Sequence, residues 1–164
     1  MKWIILICVA ALSAGYYLEF VEHLIPCLLC VAQRVALYAI ALFAGLLWLF
    51  PRHKWVRMLL RTGMLISASA GVFFAGKQLY LESLPVDQRP ACTVPFDMLI
   101  RSHEWGNALL QLLNGTSDCG TRQWVFLNMS LPFWSGCIFV VLILLILMSF
   151  ICHMSRSSDI QSGR

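Results

Sequence analysis

Four apolar runs, each about as long as a bilayer core is thick, constrain this chain more than any other feature. They span about Trp3–Val21, Cys30–Phe50, Met58–Leu79 and Phe133–His153. About 20 residues of helix cross a hydrocarbon core of about 30 Å. Within lipid every backbone N–H and C=O must be satisfied inside the segment, so such runs are helices. With 164 residues, 60% hydrophobic and 12% charged, the chain has little left for a soluble core. The expected fold is an all-α membrane protein, one domain over 1–164, built as a bundle of four transmembrane helices. Pro51 and Pro132 fall at run boundaries, where a missing N–H costs little. Met1-Lys2 and Ala11-Leu12-Ser13-Ala14-Gly15 give the first run some features of a signal peptide. Its apolar character continues to Val21, longer than such a segment needs, and it reads as a span.

Charge orients the spans. Arg52, Lys54, Arg57 and Arg61 follow span two without an acid. Lys2, Arg156 and Arg164 share their side, where Asp159 is the one acid. Glu19, Glu22, Glu82, Asp87, Asp97, Glu104 and Asp118 gather on the other. The positive-inside rule then puts both termini and the loop at about 51–57 in the cytoplasm. A pI of about 8.8 thus reflects membrane orientation, not nucleic-acid binding. Two loops remain outside, about 22–29 and 81–132. The longer holds Pro85, Pro90 and Pro95 and the turn-like Asn114-Gly115-Thr116-Ser117-Asp118. Its Trp105, Leu109, Leu110, Leu112 and Leu113 suit either a helix lying on the bilayer surface or a small loop core. The tail from Ser155 onward has the composition of a disordered segment.

Topology sorts the seven cysteines. Cys27, Cys30, Cys92 and Cys119 fall outside, where disulfides persist. Cys8 and Cys137 lie inside spans and Cys152 at the cytoplasmic end of span four, as small apolar packing residues. The outer four admit three readings: a tetrahedral zinc site, two static staples, or two redox pairs in series. A zinc site lacks the knuckle spacing in its second pair. A staple gains little from closing the two-residue gap of Cys27-Leu28-Leu29-Cys30. A redox pair gains from this position, because unpaired N–H groups at a helix start favour a thiolate. Cys27, Cys30 and Arg34 are spaced three and then four apart, along one face of a helix. Arg34 inside a span is either a functional cation or one that snorkels or pairs with Glu19 or Glu22. The geometry points to electron exchange with something dissolved in the lipid.

The run Pro26-Cys27-Leu28-Leu29-Cys30-Val31-Ala32-Gln33-Arg34 resembles the motif of the bacterial DsbB family of quinone-linked thiol oxidases. Asp118-Cys119-Gly120-Thr121-Arg122-Gln123-Trp124, followed by Leu131-Pro132-Phe133-Trp134, is similar to that family's second outside loop and its entry to the last span. Ala91-Cys92 with Glu104-Trp105, and Gly76-Lys77-Gln78-Leu79, extend the resemblance over about residues 10–150.

The resemblance implies a bacterial inner-membrane protein-disulfide oxidoreductase. Its partner would be a DsbA-like periplasmic dithiol protein and its cofactor a quinone, ubiquinone or menaquinone. By position, Cys92 would form the mixed disulfide with the partner and Cys119 would exchange with Cys27. Cys30 would be the thiolate facing the quinone and Arg34 would hold the quinone oxygen. Some members carry a histidine where this chain has Glu82-Ser83, so no quinone role passes to Ser83. His103 reads as a surface loop residue. Quinone reductases of the vitamin K epoxide reductase type also couple C-x-x-C to quinone, but late in the chain. A non-enzymatic membrane protein stapled by Cys27–Cys30 and Cys92–Cys119 is the rival from another class.

Reporter fusions test the orientation. A periplasm-dependent reporter is expected to be silent at Arg52 and active at Asn107. Activity at Arg52 would place all four loop thiols in a reducing compartment.

Overall fold

The protein is described here by a computed structural model covering residues 2–21, 27–49, 54–85, 106, 125–126 and 129–162. Four long helices dominate these residues: α1 Lys2–Phe20, α2 Leu28–Leu49, α3 Lys54–Ser83 and α4 Leu131–Ser162. A two-stranded antiparallel hairpin, β1 Val125–Phe126 and β2 Met129–Ser130, leads directly into α4. All four helices are long and apolar enough to cross a membrane, over Lys2–Phe20, Leu28–Leu49, Trp55–Ser83 and Leu131–Ile151. The all-α four-helix expectation therefore holds. Arg57 and Arg61 are part of α3, a 30-residue helix that runs on to Ser83. Most of the long loop, with Cys92, Cys119 and the Trp105–Leu113 stretch, lies outside the described residues. So do Glu22, Pro51 and Arg52.

α2 packs on α3, α3 on α4, and α1 touches both α2 and α4, which closes a ring of four. Side-chain contacts fix the directions. Late α1 meets early α2 where Arg34 reaches Gly15. Early α2 meets late α3 where Cys30 reaches Gln78. Gly71 of α3 lies against Phe139 of α4, and Gly136 against Ala75. Each neighbouring pair in this chain of contacts is antiparallel, and the bundle has a cysteine end and an Arg61 end.

α3 shows why the bundle closes. Along one stripe its buried positions are Arg61, Met64, Ala68, Gly71, Ala75, Gln78 and Glu82, alternately three and four apart, with Leu81 buried beside the last two. That is a 3.5-residue repeat, the seam of a left-handed bundle. In lipid no hydrophobic force drives helices together, so small residues that allow close backbone approach carry the association. Ala68, Gly71 and Ala75 fill the middle of the seam. The core joins Met64 and Ala68 to Ile4 and Cys8 of α1, Ile40 and Ala44 of α2, and Phe139, Leu142 and Ile146 of α4. The outward faces carry Val35, Leu42, Leu59, Ile66, Phe73, Leu144 and Met148, as lipid contact requires. Exposed Trp3, Trp48 and Trp55 mark the Arg61 end, and exposed Tyr17, Phe20 and Tyr80 the cysteine end. Aromatic belts at two levels are what two bilayer interfaces select. Cys8 is a core packing residue as expected, whereas Cys137 faces outward.

Gly71 is the tightest point of the seam. A Cβ there would drive into the buried Phe139 ring, whereas one at Gly76 meets nothing within 4 Å. Gly71→Ala is expected to lower stability by about 1–3 kcal/mol through overpacking. Gly76→Ala should be neutral or stabilising by up to about 1 kcal/mol, since alanine orders a helix better than glycine. Denaturant unfolding in detergent checks both, and equal effects would contradict the assigned seam.

Candidate redox site

Cys27 is the last residue before α2 and serves as its cap. Its carbonyl accepts the Val31 N–H at 3.0 Å, the first helical bond. Its Sγ accepts the Cys30 N–H at 3.3 Å. Helix starts usually use a serine, threonine or aspartate oxygen to satisfy that donor. A sulfur in this place sits on the positive end of the helix, the environment in which thiolates are found. The two sulfurs, Cys27 Sγ and Cys30 Sγ, lie 2.7 Å apart. Cys27 is buried and Cys30 half-buried, in an apolar pocket formed with Leu29, Leu81, Phe74 and Leu84.

Cys30 is also tied to α3. The Gln78 Nε2 donates to its Sγ at 3.4 Å, and Gln78 Oε1 lies 3.6 Å from the same sulfur. Gln33 Nε2 donates to that Oε1 at 3.1 Å. Both glutamines are buried, at 7% and 6% exposure. Buried amides in an apolar bundle are costly unless hydrogen-bonded, so they satisfy each other and the sulfur.

Arg34 turns the other way. Its Nη1 pairs with the Glu19 carboxylate and its Nη2 donates to the Gly15 carbonyl at 3.0 Å. Its guanidinium stacks over the Tyr16 ring at 4.9 Å, and the Tyr16 hydroxyl bonds that of Tyr38 at 2.7 Å. The expected common face of Cys27, Cys30 and Arg34 thus divides within α2. The sulfurs face α3 and the guanidinium faces α1. Pairing with Glu19, one of the two partners considered from sequence, is the contact that forms. Arg34 passes close by Gly15: a Cβ there would stand 3.5 Å from Arg34 Nε, in ordinary van der Waals contact.

The helix-capping cysteine pair, closed against a transmembrane seam, is the arrangement a membrane thiol oxidant needs. The family model described as Disulfide bond formation protein DsbB matches residues 2–149. The chain belongs to the DsbB family. Its relatives include the Disulfide bond formation protein B of Marinobacter nauticus, 35% identical over 148 residues, 88% of each chain. That of Acinetobacter baumannii is 35% identical over 147 residues, 88% of this chain and 85% of the relative. That of Hahella chejuensis is 34% identical over 131 residues, covering 77% and 76%. Membership makes this DsbB-family chain a multi-pass disulfide oxidoreductase and sets aside the vitamin K epoxide reductase type.

Of the five site residues expected from sequence, the structure brings Cys27 and Cys30 together and places Arg34 one turn deeper. Cys92 and Cys119 lie outside the described residues. Sequence reasoning missed Gln33 and Gln78. The signal was present: each is an uncharged polar residue within an apolar span, and Gln78 falls on the three–four repeat of α3. Among the described residues no cluster of three or more His, Cys, Asp or Glu could hold a metal ion.

The Glu19–Arg34 pair is partly exposed, at 19% for the arginine side chain and 27% for the glutamate. Glu19→Leu leaves the cation uncompensated and is expected to cost about 1–2 kcal/mol, below the figure for a fully buried pair. Glu19→Leu/Arg34→Met removes both charges and should recover most of that loss. A double-mutant cycle on detergent-phase unfolding measures it, and simple additivity would mean that the pair does not form.

Proposed function

We propose that this DsbB-family protein reoxidises a DsbA-like periplasmic dithiol protein and passes the electrons to membrane quinone. The observation that carries the reading is the Cys27–Cys30 pair at the start of α2, with the Arg34 guanidinium one turn deeper. Each thiol step is the attack of a thiolate on a disulfide sulfur. A partner thiolate attacks Cys92 of a Cys92–Cys119 disulfide, and Cys119 leaves as thiolate. The second partner thiol resolves the mixed disulfide, so the partner leaves oxidised and both loop cysteines are reduced. Cys119 then attacks Cys27, and Cys30 leaves with the electron pair. Cys92 closes on Cys119, which frees Cys27 as a thiol. Two electrons and two protons have moved from the partner to the Cys27–Cys30 pair.

The residues at this end fit a quinone. The Cys30 sulfur is half-buried among apolar side chains, as a lipid-soluble oxidant requires. A guanidinium has five N–H donors, and the contacts to Glu19 and Gly15 use two of them among the described residues. A bound quinone would supply the oxidising power, as acceptor of the two electrons and two protons that Cys27 and Cys30 give up when their disulfide re-forms. Arg34 would hold the quinone oxygen and stabilise the charge it gains in a low-dielectric site. The inner-membrane location with both termini cytoplasmic follows from this role, since the partner lives in the periplasm.

Quinone reduction by the purified protein, supplied with a reduced thioredoxin-like partner, tests the reading. Cys92→Ser is expected to abolish service to the partner while a small dithiol still reduces quinone through Cys27–Cys30. Arg34→Met should raise the apparent quinone KM by at least about tenfold, the worth of one charge-assisted contact. Arg34→Lys, keeping charge but losing the planar fork, should fall between. Unchanged KM and kcat in Arg34→Met would remove Arg34 from the site.

A further inference from the structure

Gln78 occupies a seam position that the rest of α3 fills with methionine, alanine or glycine, apart from the charged ends Arg61 and Glu82. An amide there weakens apolar packing, so its presence calls for a task. Its two polar atoms both reach Cys30 Sγ, Nε2 at 3.4 Å and Oε1 at 3.6 Å. Gln33, one turn below Cys30 on α2, donates to Oε1 at 3.1 Å and thereby fixes which end of the amide is the donor. We propose that the Gln78 amide hydrogen-bonds the reacting sulfur of Cys30 as both thiol and thiolate, and that Gln33 is a positioning residue holding this amide in register.

The proposal rests on the reading above that Cys30 is the leaving and reacting thiolate. When a thiolate attacks Cys27, the Cys27–Cys30 bond breaks and the electron pair departs on Cys30. Gln78 Nε2–H then donates to the new anion without any proton moving. If Cys30 takes up a proton, its S–H faces Gln78 Oε1, whose second lone pair stays available beside the Gln33 contact. The amide therefore serves both states without turning over. The same contacts bridge α2 and α3 beside the apolar cluster of Cys27, Leu29 and Leu81, against which Cys30 packs. Titratable groups at this end, among the described residues, include Cys27, Arg34 and Tyr38 on α2, Tyr16, Tyr17 and Glu19 on α1, and Lys77, Tyr80 and Glu82 on α3. None of these is altered by changing Gln78 or Gln33.

The test needs neither quinone nor partner. In reduced full-length protein carrying Cys27→Ala, the alkylation rate of Cys30 is followed against pH by mass spectrometry of its peptide. Gln78→Met keeps the length of the side chain and removes the amide. It is expected to move the alkylation profile about one pH unit to the alkaline side, the worth of one hydrogen bond to a charged group. Below the midpoint the thiolate fraction falls about tenfold while its nucleophilicity rises about threefold, so the rate at neutral pH falls about three- to fourfold. Gln78→Glu has the same shape and an acceptor in place of the donor, and should move the profile at least as far. Gln33→Leu should move it by less than half as much. Gln33→Leu/Gln78→Met should match Gln78→Met alone, since Gln33 acts only through that amide.

Profiles indistinguishable from the parent in both Gln78 variants would overturn the proposal. Full additivity of Gln33→Leu and Gln78→Met would overturn the role given to Gln33. Shifted profiles in a protein whose parent reduces no quinone would support the contact and count against the quinone reading instead, so the two failures are distinguishable.

Discussion

A polar group inside a lipid-embedded bundle must find its partner there or be paid for in stability, and the cysteine end of this protein is built around that constraint. Cys27 Sγ takes up a helix-start N–H that would otherwise need a solvent or side-chain acceptor. Gln33 and Gln78 satisfy each other and reach Cys30. Arg34, the costliest group of the set, is held by a carboxylate, a carbonyl and an aromatic face, all from α1. Apart from the Cys27 cap, each of these contacts crosses from α2 to a neighbour. The chemistry-bearing residues are thus also the ones that lock α1, α2 and α3 together at this level.

The seam of α3 is what brings the two halves of the arrangement into range. Small residues in its middle let α3 lie close to α4, with Gly71 accepting the Phe139 ring. Toward the cysteine end the same repeat continues as Gln78 and Glu82. Close packing at one level therefore delivers an amide to the sulfur two turns further along. α2 is shared between two tasks: its α3-facing side carries the sulfurs, and its α1-facing side carries the guanidinium. That division keeps a cation one turn from the reactive pair while its own contacts go to α1.

Much of this was legible in the chain. Four apolar runs bounded by Pro51 and Pro132 specify four helices because lipid leaves the backbone no alternative. Cys27-Leu28-Leu29-Cys30 at the head of a run announces a capped redox pair, since the motif and the helix start coincide. Arg34 announces a partner, because a lone cation in a span is too costly. What the sequence did not disclose is which neighbour each side chain meets. The turn of Arg34 toward Glu19 and of Cys30 toward Gln78 depends on how α1 and α3 flank α2, a tertiary fact. Gln33 and Gln78 fall within the runs that carry the family resemblance but received no role, because an isolated amide in an apolar span announces no chemistry of its own. Its meaning lies in a 3.5-residue repeat that emerges only when burial is known. The β1–β2 hairpin is two residues per strand, too short for any alternation to register.

The central claim is that Cys27–Cys30 cycles, with its electrons leaving to quinone. The most direct measurement is the in-cell redox state of that pair, read by thiol trapping in bacteria unable to make quinone. The account predicts that Cys27 and Cys30 accumulate as thiols there and are oxidised again when quinone is restored. A pair that stays fully oxidised without quinone would be a static staple, and the account would be wrong.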